Sequence, residues 1–108
     1  MFFMGLFSNS GKSGEFYDAF VDLWRLLANY SFKEISREIA IPKIDANYSK
    51  LLVIAKKFSN PFDETFKYYS NKTTMFGEKI TIAEGIAILH IAIDAVSQGT
   101  RLTTKFKQ

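Results

Sequence analysis

Between residues 14 and 30 the polar positions Glu15, Asp18, Asp22, Arg25 and Asn29 fall at steps of three and four. Phe16, Phe20, Leu23, Trp24 and Leu27 occupy the opposite face, flanked by Tyr17, Val21 and Leu26. That spacing predicts an amphipathic helix with acidic first turns that complement its dipole. Ser31 and Glu34 have the spacing of a capping box, and Tyr30 can staple onto Ile35. A short second helix is therefore predicted from 32 to about 40, ended by Pro42, which pushes the preceding residue out of the helical region. A third helix is predicted from about 45 to 58, burying Ile44, Tyr48, Leu51, Leu52, Ala55 and Phe58 and leaving Lys50, Lys56 and Lys57 outside. Asn60, Pro61, Asp63 and Glu64 together read as the start of a fourth, ending near Asn71 with Phe62, Phe66 and Tyr69 facing inward. Residues 73 to 79 read as a loop.

Residues 81 to 99, TIAEGIAILHIAIDAVSQG, carry ionisable groups only at Glu84, His90 and Asp94. Thr81 and Glu84 form a capping box and Gly99 is a stop signal, so the stretch predicts a helix that is apolar on almost every side. Such a helix must be enclosed by other elements, a partner chain or lipid. The expected fold is all-α, a compact bundle of four or five helices around a central, highly apolar C-terminal helix at about 82–98. Within it Gly85, Ala87, Ala92 and Ala95 are expected at close approaches, and Ile86, Leu89, Ile93 and Val96 in the core. Two other readings compete. Residues 79 to 82 and 86 to 93 contain alternating Ile, which fits a hairpin turning at Glu84 and Gly85. A transmembrane span is opposed by its three ionisable residues, so the chain is not expected to be an integral membrane protein.

A chain of 108 residues is one domain, able to bury roughly 65% of its unfolded surface without staples. Residues 1 to 13 are apolar and then rich in Gly and Ser, a flexible or partly ordered segment. Residues 14–99 form the helical domain, and 100–108 a basic tail. The first seven residues lack a basic n-region and a cleavage site, so export is not expected. With no cysteine in the chain, disulfides and thiolate zinc sites are excluded, and the default compartment is a reducing cytoplasm. The formal charge of +3 is uneven: residues 1 to 54 hold six bases and six acids, residues 55 to 108 eight and five. This is no polybasic protein. Eleven Phe point to a Phe-packed core or to apolar contact surface beyond it.

Chemistry is sparse. Gly11, Lys12 and Ser13 resemble the end of a phosphate loop, but Leu6 stands where its first glycine belongs. Asn9 stands where myristoylation from Gly5 would need Ser or Thr. His90, the lone histidine, and Asp94 share a helical face. Two ligands fall short of a zinc site, so this polar pair is read as a buried or half-buried hydrogen bond. Asp18 and Asp22 read as a solvated helix face, not as acid and base groups. No catalytic residue, cofactor or metal is expected.

The segment 31–52 resembles the helix-turn-helix of transcriptional repressors in its first half. Ile35, Ser36, Ile39, Ala40 and Ile41 sit where that family places an apolar residue, a small residue, another apolar residue, the turn glycine and an apolar turn residue. The second half departs from it, with Ser49 where a large apolar residue belongs. The resemblance implies a reading helix with Lys43, Asp45, Asn47 and Lys50 near a groove, a mixed-sign set with no arginine to clamp a guanine. The reading preferred over DNA binding is a small, non-enzymatic protein-interaction module of the adaptor, inhibitor or immunity type, self-associating as a dimer. Its candidate contacts are Phe62, Phe66, Tyr68 and Tyr69. The Phe, Ile, Lys and Asn bias suggests an AT-rich genome, that of a bacterium or its phage.

Overall fold

A computed structural model describes residues 11–68 and 78–102 of the chain. The first helix, α1 (Gly11–Ser31), follows the predicted periodicity. Phe16, Phe20, Leu23, Trp24 and Leu27 are buried, together with Ala19 and Val21, while all five polar positions of the opposite face are exposed. It begins three residues ahead of the predicted start.

Helix α1 ends where Lys33 takes a positive φ of 63°. The amides of Lys33 and Glu34 donate to the carbonyls of Tyr30 (3.0 Å) and Asn29 (2.9 Å), a Schellman closure with lysine in the left-handed position that usually favours glycine. Ser31 thus belongs to the end of α1 and does not open a new helix. Its hydroxyl donates to the Ala28 carbonyl at 2.9 Å and accepts from the Leu102 amide at 3.1 Å.

The helix α2 (Arg37–Ala55) replaces the predicted second and third helices, and Pro42 lies inside it. Ser36 caps it, accepting from the Ile39 amide. Proline costs the turn a hydrogen bond, but its neighbours Ala40 and Ile44 are both buried and hold that turn against the core. Leu51, Ile54 and Ala55 continue the buried stripe, and Phe58 packs just beyond the helix end.

The predicted fourth helix is a single turn. Asn60 does cap it: its side-chain oxygen accepts from the Phe62 amide at 3.1 Å, and its carbonyl from Asp63 and Glu64. The chain then enters β1 (Thr65–Tyr68), which pairs antiparallel with β2 (Glu78–Thr81), setting Phe66 opposite Ile80 and Thr65 opposite Thr81. The β-branched and aromatic run after Glu64 favours a strand. Glu78 and Lys79 are therefore strand residues; the rest of the expected loop, 73–77, lies outside the described residues.

The last helix is α3 (Ile82–Ser97). Its capping box is formed in full: Glu84 donates its amide to Thr81 Oγ1 (3.0 Å) and accepts from the Thr81 amide (2.7 Å). The first two amides of α3 donate to the carbonyls of Glu64 and Pro61, both at 2.9 Å, so the turn after Asn60 satisfies groups that a helix start leaves open. Gly99, with a φ of 96°, closes the other end through bonds from Gly99 and Thr100 to Val96 and Ala95. The hairpin at Glu84 and Gly85 does not form; a strand ending at Thr81 does, paired with β1.

Three helices and a two-stranded sheet are thus found among the described residues, not four or five helices alone. The hub is α1, which packs against α2, α3 and β1. Helix α3 is not central. It buries the stripe Ile82, Gly85, Leu89, Ala92 and Val96, while Ile86, Ile93 and Ala95 are half-buried and Ala87 is exposed. Phe66 sits 4.9 Å from the Phe16 ring and 5.4 Å from that of Phe20, and a methyl group on Gly85 would fall 2.9 Å from Phe66. No helix among the described residues is long and apolar enough to cross a membrane.

Candidate functional site

Rotating α3 away from its buried stripe brings Ala87, His90, Ile91 and Asp94 to the outside, with Ile88 and Ala95 along one border. Ile91 is 67% exposed. The residues spaced around it, Ala87, Ile88 and Ala95, form a continuous apolar strip three to four residues apart. This outer face is narrow and holds no basic residue besides His90; Glu84 lies at its start and Asp94 near its end.

His90 Nε2 and Asp94 Oδ2 are 3.8 Å apart, and both side chains are 66% exposed. The expected buried or half-buried hydrogen bond is therefore an open ion-pair geometry at the surface. Water can solvate both groups there.

The aromatic cluster expected from the sequence is divided by the fold. Phe62 is 76% exposed on the turn after Asn60, whereas Phe66 is 4% exposed in the core. Tyr68 closes β1, and Tyr69 lies outside the described residues, as do the expected N-terminal apolar segment and positions 103–108 of the tail. Phe62 stands among Asn60, Pro61 and Asp63, with no large apolar side chain beside it in sequence. A single exposed ring of that kind is ordinary protein surface.

Asp18 and Asp22, with Glu15, line one side of an open groove of about 180 Å³ whose other side is Lys50 and Ile54 of α2. Lys57 bridges Glu15 at 3.1 Å, and Arg25 lies 3.9 Å from Asp22. All three carboxylates are exposed. No polar or charged residue is buried among the described residues, and no three potential metal ligands converge there. General acid and base groups are commonly tuned by desolvation or a close partner in a cleft. This groove offers open, solvated groups.

The segment resembling a helix-turn-helix also takes a different form. The expected turn at Ala40 to Pro42 lies within α2, so the two-helix unit is one helix from Arg37 onward. Lys43, Asp45 and Lys50 are exposed on it, and Asn47 donates to the Lys43 carbonyl at 2.7 Å. Sequence reasoning read Ile39 as an apolar position of the two-helix unit and passed over Val53; the two are 52% and 59% exposed on the outside of α2. Their signal was a helix with apolar residues on two sides, hidden when the segment was divided at Pro42. No family model, curated protein or solved structure matches the chain.

Proposed function

We propose that this chain is a small protein-interaction module, of the adaptor, inhibitor or immunity type, that self-associates as a dimer in the cytoplasm and acts through contact, not catalysis. The observation that carries the reading is Ile91, two-thirds exposed at the middle of the strip formed by Ala87, Ile88 and Ala95. Burying one such side chain is worth about 1.5 to 3 kcal/mol. A dimer gains it twice. Lys or Glu at Ile91 would serve an exposed helix at least as well, so solvent exposure alone gives no reason for isoleucine there.

The competing places are weaker. Phe62 has no large apolar residue adjacent to it in sequence, and Ile39 and Val53 stand about 21 Å apart along α2 by helix rise, with Pro42, Ala46 and Ser49 between them. The test is sedimentation equilibrium of the full chain from micromolar to sub-millimolar concentration, with Ile91→Asp alongside. A dimer that dissociates in the variant, with the helical circular dichroism signal unchanged, supports the reading. A monomer throughout that range removes it.

A further inference from the structure

The outer face of α3 is complementary to itself in one orientation, and we infer that two copies pair through it antiparallel, about a two-fold axis at the level of Ile91 and Ala92. This rests on the self-association proposed above and specifies its geometry. In such a pair, a residue on one border of the seam meets a partner residue on the same border, equally far beyond the axis. Two pairs on α3 satisfy that condition at once. Ile88 and Ala95 share one border and His90 and Asp94 the other; the first pair is centred midway between Ile91 and Ala92, and the second at Ala92 itself, within one residue of each other.

Size and charge set the contacts. Each Ile88 faces the second copy's Ala95, a large side chain against a small one, which lets the helices approach closely. Each His90 faces the second copy's Asp94, so its imidazole lies between two carboxylates, its own at 3.8 Å and the partner's. Ile91 meets its own copy across the axis with an axial offset of about 2 Å, between one and two steps of helix rise. In a parallel pair opposite borders meet, so His90 and Asp94 of each copy would face the other's Ile88 and Ala95, and no imidazole would reach the second copy's carboxylate. Charge therefore selects the antiparallel arrangement.

The chain contains no cysteine, so an introduced thiol reports on one position. Ile91→Cys, Ile88→Cys and Ala95→Cys are treated with a short bifunctional thiol cross-linker at a concentration where the wild type is dimeric by sedimentation. Ile91→Cys is expected to link to itself. Ile88→Cys and Ala95→Cys are expected to link poorly alone, because identical positions lie about 10 to 12 Å apart along the axis, and to give a mixed dimer when combined. A dimer by sedimentation in which Ile91→Cys fails to link, or in which Ile88→Cys and Ala95→Cys each link to themselves and not to each other, overturns this geometry and leaves self-association standing. A monomeric wild type removes both.

Discussion

Gly85→Ala tests the packing of α3 on the core at its tightest point. The added methyl would stand 2.9 Å from Cε1 and Cζ of Phe66 and 3.1 Å from Cε2 of Phe16, well inside ordinary carbon contact. Two effects oppose each other. Alanine favours a helix interior over glycine by about 1 kcal/mol, whereas forcing a methyl into a packed core costs about 1 to 3 kcal/mol. The outcome depends on whether the Phe66 ring can move. It is enclosed by Phe16 and Phe20 at 4.9 and 5.4 Å and fixed to β1, so the steric cost should exceed the helix gain. A net loss of up to about 2 kcal/mol is expected, or a melting temperature lower by up to roughly 16 °C. The assay is urea unfolding of Gly85→Ala, Phe66→Leu and the double variant, followed by circular dichroism. Phe66→Leu removes ring atoms at the clash, so the double variant should be more stable than the sum of the singles predicts, by about 1 kcal/mol. Unchanged or raised stability in Gly85→Ala, or strict additivity, would refute the argument.

Lys33→Gly should stabilise the chain by about 0.5 to 1 kcal/mol, because glycine adopts the positive φ of this helix closure without the cost that a β-carbon brings; a lower urea midpoint would show that the lysine side chain contributes more than its backbone costs. Pro42→Ala should raise stability by about 1 to 3 kcal/mol by restoring an amide donor and removing ring crowding in α2, read as a higher melting temperature with no loss of helical signal. Leu89→Ala should cost about 2 to 5 kcal/mol because Leu89 is fully buried, and the half-buried Ile93 should cost distinctly less on the same substitution. Equal losses at the two positions would mean that both side chains share the core equally, against the buried stripe described for α3.

The parts of the fold legible in the sequence are those governed by neighbours in sequence. Helix α1 alternates polar and apolar faces without interruption, and Thr81, Glu84 and Gly99 act through bonds spanning three to five residues. Asn60, Pro61 and Asp63 were legible in the same local sense, since the turn they signal is present. Whether that turn propagates into a helix depends on the next few residues. Thr65 and Phe66 favour a strand, and Phe66 is rewarded by the pocket that Phe16, Phe20 and Gly85 create from distant positions. Pro42 misled for the opposite reason: a local penalty is offset by burial of Ala40 and Ile44 in a helix that packs along α1.

The position of α3 was not legible, because apolar composition states that cover is favourable without identifying the cover. Helix α1 occupies the centre because its apolar residues are large and aromatic. Phe16, Phe20 and Trp24 can reach α2, β1 and α3 from a single helix. Helix α3 instead offers Gly85, Ala92 and Leu89 inward, a smooth stripe against which the rings of Phe66 and Phe16 pack. Once that stripe is satisfied, the core places no demand on the other side of the helix. Ile88 is half-buried against the core, but Ile91 needs a second account, since helix formation there is served equally by charged residues. Its place among Ala87, Ile88 and Ala95, with His90 and Asp94 on the opposite border, fits the proposed docking of α3 against its own copy.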